Sequence, residues 1–348
     1  MKVSLQTKSG RFAFDVRAEE TVLAAGLRQG ITLPYECSTG TCGTCRGRVM
    51  EGDANMAWPE APGAAKLKLD RGDCLLCQTY LESDAVVRVA SDTVHRNGDA
   101  HPLPDHARGR LTELRLLTHD VMHIDLALEH PIRFDAGQFV TMQAPGIAGA
   151  RAYSMVNYAD ETRRLGFVVK RKPGGCFSDW LFEKAEVGTE IAFFGPLGAA
   201  TFHPEEKRNI LCIAGGSGIA GIMSILTHAT AINHFADHRG DVFFGVRTLA
   251  DCFYLDELSE FAAKGGGNLR ITIALSHETP DCDRHPDFPS IRLDTGFVHE
   301  AAGRAMAGRY EQPLSYVAGP PPMVDAAIRL LIGEGKIPVT DIRYDKFG

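Results

Sequence analysis

Three of the chain's nine cysteines fall in one short run, Cys37-Ser38-Thr39-Gly40-Thr41-Cys42-Gly43-Thr44-Cys45. A fourth thiol follows after a long gap, in Asp73-Cys74-Leu75-Leu76-Cys77-Gln78. The spacing C-x4-C-x2-C followed by a distant cysteine is the plant-type spacing for a [2Fe–2S] cluster. Two irons bridged by two sulfides need four outer ligands, and thiolates suit so soft a site. Gly40 and Gly43 allow the loop to bend tightly and bring backbone N–H groups close to the sulfurs. The downstream pair is itself C-x2-C, so spacing alone does not exclude a four-thiolate zinc site. On the residues alone, Cys74 and Cys77 both remain candidates for the fourth ligand.

A second constellation is Gly216-x-Gly218-x-x-Gly221, within the run Gly215, Gly216, Ser217, Gly218, Ile219. It follows an apolar strand (Asn209–Ala214) and opens a helix, the context in which such glycines let a backbone approach a pyrophosphate at a helix N-terminus. The acidic residue that usually ends the second strand is missing: that strand closes on Gly245-Val246-Arg247. The reading is therefore a dinucleotide site with non-standard ribose recognition, against the alternative of a tight turn with no ligand. Arg247 leaves NADPH possible. Gly319-Pro320-Pro321-Pro322-Met323 follows another strand and would frame a cleft with the first glycine run at the carboxyl end of a sheet.

Upstream, Arg151-Ala152-Tyr153-Ser154 offers a cation, a flat ring and a hydroxyl. A flavin needs a stacking face, a phosphate partner and a hydrogen bond near its reactive nitrogen. On a regular strand Arg151 and Tyr153 share one face and Ser154 points to the other, so a twist or bulge would be needed. An ordinary strand is the competing reading. Lys170 to Ser178, with Pro173-Gly174-Gly175, is a further glycine-rich turn able to hold phosphate. No G-x-S-x-G and no Walker sequence occurs. His234 and His238 lie four apart with no third ligand in view and read as a solvated helix face rather than a metal site.

The elements that must position these groups fall into three units. Residues 1–96 show alternating Val3, Leu5 and Phe12, Phe14, Val16 around Lys8-Ser9-Gly10, one helix near Val22–Leu27, and short later strands, as in a small β-grasp module. Residues 97–107, the core of an aperiodic stretch from Thr93 to Ala107, read as a linker. Residues 108–203 carry evenly spaced short strands with Gly and Pro turns, which predicts an antiparallel β-barrel. Residues 204–348 alternate strand and helix, which predicts a parallel α/β sheet with helices on both faces. The predicted fold class is thus multidomain, α+β and α/β.

The hydrophobic content of 44% and charged fraction of 23% are those of an ordinary globular chain. A net charge of −7 does not suggest a nucleic-acid surface. The first residues lack the apolar core of a signal peptide, and no stretch approaches the roughly 18 apolar residues of a membrane span. Nine cysteines without an export signal fit a reducing cytoplasm and ligand or free thiols.

Taken together, the residues resemble the NADH-dependent reductase components of bacterial multicomponent aromatic-ring oxygenases, of the toluene monooxygenase, phenol hydroxylase and naphthalene dioxygenase type. The resemblance covers essentially the whole chain. Pro34 to Cys45, Trp58-Pro59-Glu60-Ala61-Pro62-Gly63 and Leu76-Cys77-Gln78 look closest to the toluene monooxygenase type. It implies a ferredoxin domain fused to a ferredoxin–NADP-reductase-like module, with a β-grasp domain, an FAD barrel and an NAD-binding domain. It implies Cys77 as fourth ligand beside Cys37, Cys42 and Cys45. It implies FAD contacts from Arg151, Tyr153 and Ser154, from the strand Val168, Val169 and Lys170, and from the turn Gly174, Gly175, Cys176 and Ser178. It implies NADH contacts from Gly215 to Ile219, from Gly245 and Arg247, and from Gly319, Pro320, Pro321 and Met323. Phe347 matches a terminal aromatic ring beside the flavin, and Ser154, Tyr153 and Phe347 are the residues expected to serve the reaction itself. Two departures stand out: Gly221 where the family often has Pro, and Ala318 where it often has Cys. The implied activity is an NADH-dependent flavin/iron–sulfur reductase. It would be a cytoplasmic monomer that passes electrons to an oxygenase component or a separate small ferredoxin. The other readings are a reductase of the same architecture serving another acceptor, such as a sugar-deoxygenating enzyme, and a zinc-stapled nucleotide-binding module without turnover.

Overall fold

A computed structural model describes residues 1–96 and 102–347. Of the predicted linker, 97–101 lies outside these residues, while 105–107 already belong to a strand. The chain divides into two compact units: Met1–Arg108, Val140–Ala152 and Ala192–Leu197 form one, and Gly109–Phe139, Tyr153–Ile191 and Gly198–Gly348 the other.

The N-terminal region has seven short strands: β1 (Lys2–Thr7), β2 (Gly10–Asp15), β3 (Arg46–Glu51), β4 (Ala54–Met56), β5 (Asp73–Leu75), β6 (Thr79–Leu81) and β7 (Ala85–Arg88). Five form one sheet in the order β2-β1-β7-β3-β5, and β4 pairs with β6. The alternation read in Val3, Leu5 and Phe14 is the buried face of the first hairpin. Helix α1 (Val22–Arg28) lies on that face, capped by Thr21 Oγ1, which accepts from the Ala24 N–H.

The barrel strands are β8 (Asp105–Thr118), β9 (Val121–Ile132), β10 (Phe139–Gln143), β11 (Arg151–Ser154), β12 (Thr162–Lys170) and β13 (Glu190–Leu197). Their order is β11-β10-β13-β8-β9-β12, and an antiparallel bridge from Met155 to Phe167 brings the two ends of the sheet together. The Gly-rich turn after β12 leads into a helix that the sequence reading took as turn alone, α2 (Cys176–Glu183).

The last sheet is parallel throughout: β14 (Ile210–Gly215), β15 (Gly240–Val246), β16 (Leu269–Leu275), β17 (Ile291–Thr295), β18 (Leu314–Gly319) and β19 (Ile342–Lys346), in the order β17-β16-β15-β14-β18-β19. Helices α3 (Ile219–Ala231), α4 (Leu255–Gly265), α5 (Val298–Met306) and α6 (Pro321–Gly333) pack on its two faces. Strands buried on both faces read as near-continuous apolar runs, as Ile210–Ala214 and Val242–Phe244 do. The core on one face also takes Val121, Ala136 and Val168 from the barrel. His234, expected on a solvated face, is buried instead: it packs edge-on against Phe202 and Phe235, and its Nε2 lies 3.0 Å from the Arg208 carbonyl oxygen. Among the described residues no helix is long and apolar enough to cross a membrane.

Two buried carboxylates are each held by near neighbours and by one partner from distant sequence. In the second unit, burial would push the Asp125 carboxyl up, but His123 and Arg164 outweigh it and hold it at about 2. His123 also meets the Tyr254 hydroxyl at 2.7 Å, joining β9 to the residue before α4. In the first unit, burial likewise acts against ionised Glu20, yet Arg28 (2.8 Å), His106 (3.3 Å) and the Arg17 N–H (3.0 Å) lower it to about 2 from the usual 4.5. Its folded-state pKa is depressed, so this stabilisation is complete above pH 4.5 and lost as pH falls towards 2. Glu20→Gln should cost about 2 kcal/mol near neutral pH. It should also flatten the acid limb of the stability profile, which urea unfolding across a pH series would measure.

Candidate functional sites

The thiol loop brings four sulfurs into two close pairs. Cys37 and Cys42 Sγ are 3.2 Å apart, and Cys45 and Cys77 Sγ 3.3 Å. All nine cysteines are free thiols. Backbone N–H groups of Thr39 and Cys42 point at Cys37 Sγ (3.4 Å each), that of Thr44 at Cys42 Sγ (3.5 Å), and the Gln78 amide at Cys77 Sγ (3.8 Å). The Cys42 thiol and these donors hold Cys37 down at about 4, while Cys42 and Cys45 are pushed up by the sulfur each one faces. The loop curls because Gly40 (φ +92°) and Gly43 (φ +77°) take left-handed conformations. Gly63 closes it from the Pro-rich stretch: its N–H donates to the Gly40 carbonyl at 2.9 Å, and a Cβ there would lie 2.6 Å from Gly43 N. Four converging sulfurs with N–H donors on them are what a [2Fe–2S] cluster requires.

Cys74 stands apart. It is buried, and burial raises its thiol to about 11, with the Thr79 hydroxyl opposing. The structure thus joins Cys77, not Cys74, to Cys45.

Of the barrel residues, Ser154 is buried, while Arg151, Ala152 and Tyr153 are half-buried. Arg151 Nη1 donates to its neighbour's carbonyl, Ala150 O, at 2.9 Å. In the second unit, the Tyr153 ring lies 5.1 Å from Phe177, the second residue of α2. Val168 and Val169 are buried in β12, with Lys170 at its exposed end. Gly174 (φ +76°) and Gly175 then turn the chain into α2. A Cβ on Gly175 would sit 2.8 Å from both Lys172 O and Ser178 Oγ. Ser178 Oγ accepts from the Lys172 N–H and closes the turn at 3.1 Å. Cys176 opens the helix, whose N-terminus has no side-chain cap. A cradle that only glycine fits, at an uncapped helix start, suits a diphosphate.

The third site is a pocket of about 390 Å³ in the second unit. Gly215, Gly216, Ser217 and Gly218 form its first edge, Gly245, Val246 and Arg247 the next, and Gly319, Pro320 and Met323 the opposite one. Lys170 and Phe347 also reach it. Gly216 (φ +54°) faces open space, whereas a Cβ on Gly218 would collide with the Ala318 carbonyl. That contact brings the ends of β14 and β18 together. Ile219 is buried beneath as the first residue of α3, and Pro321 starts α6. The Phe347 N–H donates to Gly319 O at 3.0 Å, fixing the aromatic ring at the pocket. Gly221, anomalous in the sequence, sits 3.3 Å (measured from an added Cβ) from the Gly137 carbonyl and 3.7 Å from Ser154 Cβ.

Sequence reasoning missed Asp251, Phe253, Ala274, Ser276, Phe297 and Val298, which complete the pocket. Ser276 follows β16 directly, so the rule that ligands lie beyond carboxyl ends of parallel strands would have found it. Phe297 had no such signal.

Comparison with known proteins was consistent across the chain. Residues 6–82 match the 2Fe-2S iron-sulfur cluster binding domain, 108–202 the oxidoreductase FAD-binding domain, and 212–329 the oxidoreductase NAD-binding domain. The ferredoxin–NAD(+) reductase component of the alkene monooxygenase system of Xanthobacter autotrophicus is 34% identical over 99% of this chain and 100% of its own length. The ferredoxin–NAD(P)(+) reductase CarAd of Metapseudomonas resinovorans is 33% identical over 94% of each. The solved ferredoxin reductase in carbazole 1,9a-dioxygenase superposes with a TM-score of 0.83 at 30% identity, covering 100% of this chain and 99% of that one.

Two substitutions test the thiol assignment. Cys74→Ser should keep iron and acid-labile sulfide at the wild-type level, and Cys77→Ser should lose most of both, read by chemical analysis of purified protein. Gly63→Ala should lower cluster content several-fold while flavin content stays unchanged.

Proposed function

Because the chain belongs to the family of ferredoxin–NAD(P) reductase components of multicomponent oxygenase systems, we propose that its three sites hold, in turn, a [2Fe–2S] cluster, FAD and NADH. The observation that carries this reading is the convergence of Cys37, Cys42, Cys45 and Cys77 in a chain that also has a glycine-framed pocket ending in Phe347. A flavin held there would supply two-electron hydride chemistry and a cluster one-electron chemistry.

The chain's own groups do the rest. Gly216, Gly218 and Gly319 bare the backbone where a dinucleotide must approach it. The Gly174–Ser178 turn and the start of α2 bind the flavin's diphosphate, with Arg151 as a phosphate partner. Tyr153 offers a flat face. Ser154 would offer its hydroxyl as a hydrogen-bond donor to a flavin ring nitrogen. Phe347 shields the pocket from water. Val168, Val169 and Lys170 end the strand that leads into the Gly174–Ser178 turn. Backbone N–H groups donate to the Cys37 and Cys42 sulfurs and would favour extra negative charge on a cluster held by them. Cys42 is the exposed ligand, so it faces the acceptor.

The acceptor is an oxygenase component or a small ferredoxin. The relatives named for alkene monooxygenase and carbazole dioxygenase systems support an oxygenase. The chain works as a cytoplasmic monomer, without nucleic acid or membrane. Zinc at the thiol loop is the less favoured reading, since the second C-x2-C pair is split between two environments.

Holoprotein should contain flavin, iron and acid-labile sulfide, and should reduce ferricyanide and cytochrome c with NADH. Cys42→Ser should retain ferricyanide reduction and lose most cytochrome c reduction. Equal loss of both, or zinc in place of iron, would overturn the assignment. Ser154→Ala should slow reduction of the flavin by NADH about tenfold or more in stopped flow, with KM for NADH little changed.

A further inference from the structure

Strand β15 ends at Val246 and Arg247 follows directly, where dinucleotide folds commonly place an acidic residue on the ribose. Left to itself, an arginine near this position accommodates a 2′-phosphate. Here it is not left to itself. Asp120, in the tight turn between β8 and β9, places Oδ2 3.4 Å from an Arg247 guanidinium nitrogen and 3.1 Å from Lys170 Nζ. Both cations line the pocket. Asp120 is held in place from its own side: Thr118 Oγ1 donates to its Oδ1 at 3.2 Å, and its carbonyl accepts the Arg171 N–H at 2.7 Å. Its side chain is only 19% exposed.

Asp251 also meets Arg247, at 3.3 Å. However, its other oxygen accepts from both the Thr248 N–H (3.0 Å) and hydroxyl (2.9 Å), so it is engaged in closing its own turn. Asp120 is the carboxylate delivered from another part of the fold. The pocket wall therefore carries two cations and the Asp251 carboxylate, and Asp120, paired to both cations from beside the wall, balances their charge before any ligand arrives. A diphosphate can be accepted by exchanging some of these pairs. An additional phosphate on the ribose would meet cations already neutralised and a carboxylate of like charge. A like-charge contact of this kind is an effective means of rejecting a near-identical ligand.

We propose that Asp120 is a specificity-determining residue: by tying up Lys170 and Arg247 it makes the pocket select dinucleotides without a 2′-phosphate. This rests on the reading of the pocket as the NADH site and names the group that sets its preference. The carboxylate missing from the end of β15 is supplied in space by a barrel hairpin.

The test is equilibrium binding to the flavin- and cluster-loaded protein, by calorimetry, of ADP-ribose and 2′-phospho-ADP-ribose, which undergo no reaction. Wild type should bind ADP-ribose the tighter. Asp120→Asn should lower the ratio of the two dissociation constants, phosphorylated over plain, about tenfold, and the change should shrink as salt rises. Asp120→Glu should restore the wild-type ratio, which a merely structural role for the turn would not require. Asp120→Ser, which keeps a hydrogen-bonding group in the turn, gives a second route if the Asn variant does not fold. Both ligands binding with an unchanged ratio in the Asn and Ser variants would overturn the role of Asp120 alone. Failure of wild type to bind either ligand would overturn the nucleotide reading and the proposal with it.

Discussion

Each of the three sites depends on backbone coming closer to backbone than a Cβ would permit. Gly63 lies against Gly40 and Gly43 beneath the thiols, Gly175 against the Lys172 carbonyl at the head of α2, and Gly218 against the Ala318 carbonyl at the pocket floor. A side chain at any of them would have to displace main chain, which cannot move as the tip of a flexible residue can. Close approach also exposes N–H groups, and N–H groups are what thiolates and phosphates accept from. Steric permission and chemical recognition are thus the same feature.

What was legible in the sequence follows from this. Cys37, Cys42 and Cys45 lie within nine residues, so their convergence is local and their spacing reports it. The glycines at 215–218 and 319 likewise sit at strand ends, where the element pattern places them. The choice between Cys74 and Cys77 was not local. Both lie in one short segment, and which sulfur faces Cys45 depends on how β5 pairs with β3, a matter of register. Phe297 and Asp120 were harder still, because each reaches its place through tertiary packing.

His234 shows the opposite error. Its spacing from His238 suggested a solvated helix face, but the segment is a single tight turn whose histidine fills a gap beside Phe202. Burial lowers its pKa, so it stays neutral where an exposed histidine would begin to charge. Gly221 is an anomaly that packing explains: with no side chain, it lets α3 pass close to Gly137 and Ser154.

The burial of the four thiols is uneven. Cys45 and Cys77 are within the interior, Cys37 is nearly so, and Cys42 alone opens to solvent. A loop with one outward ligand can be entered from that side while the surrounding sheet stays formed. An oxidant arriving from solvent would meet that sulfur before the three buried ones.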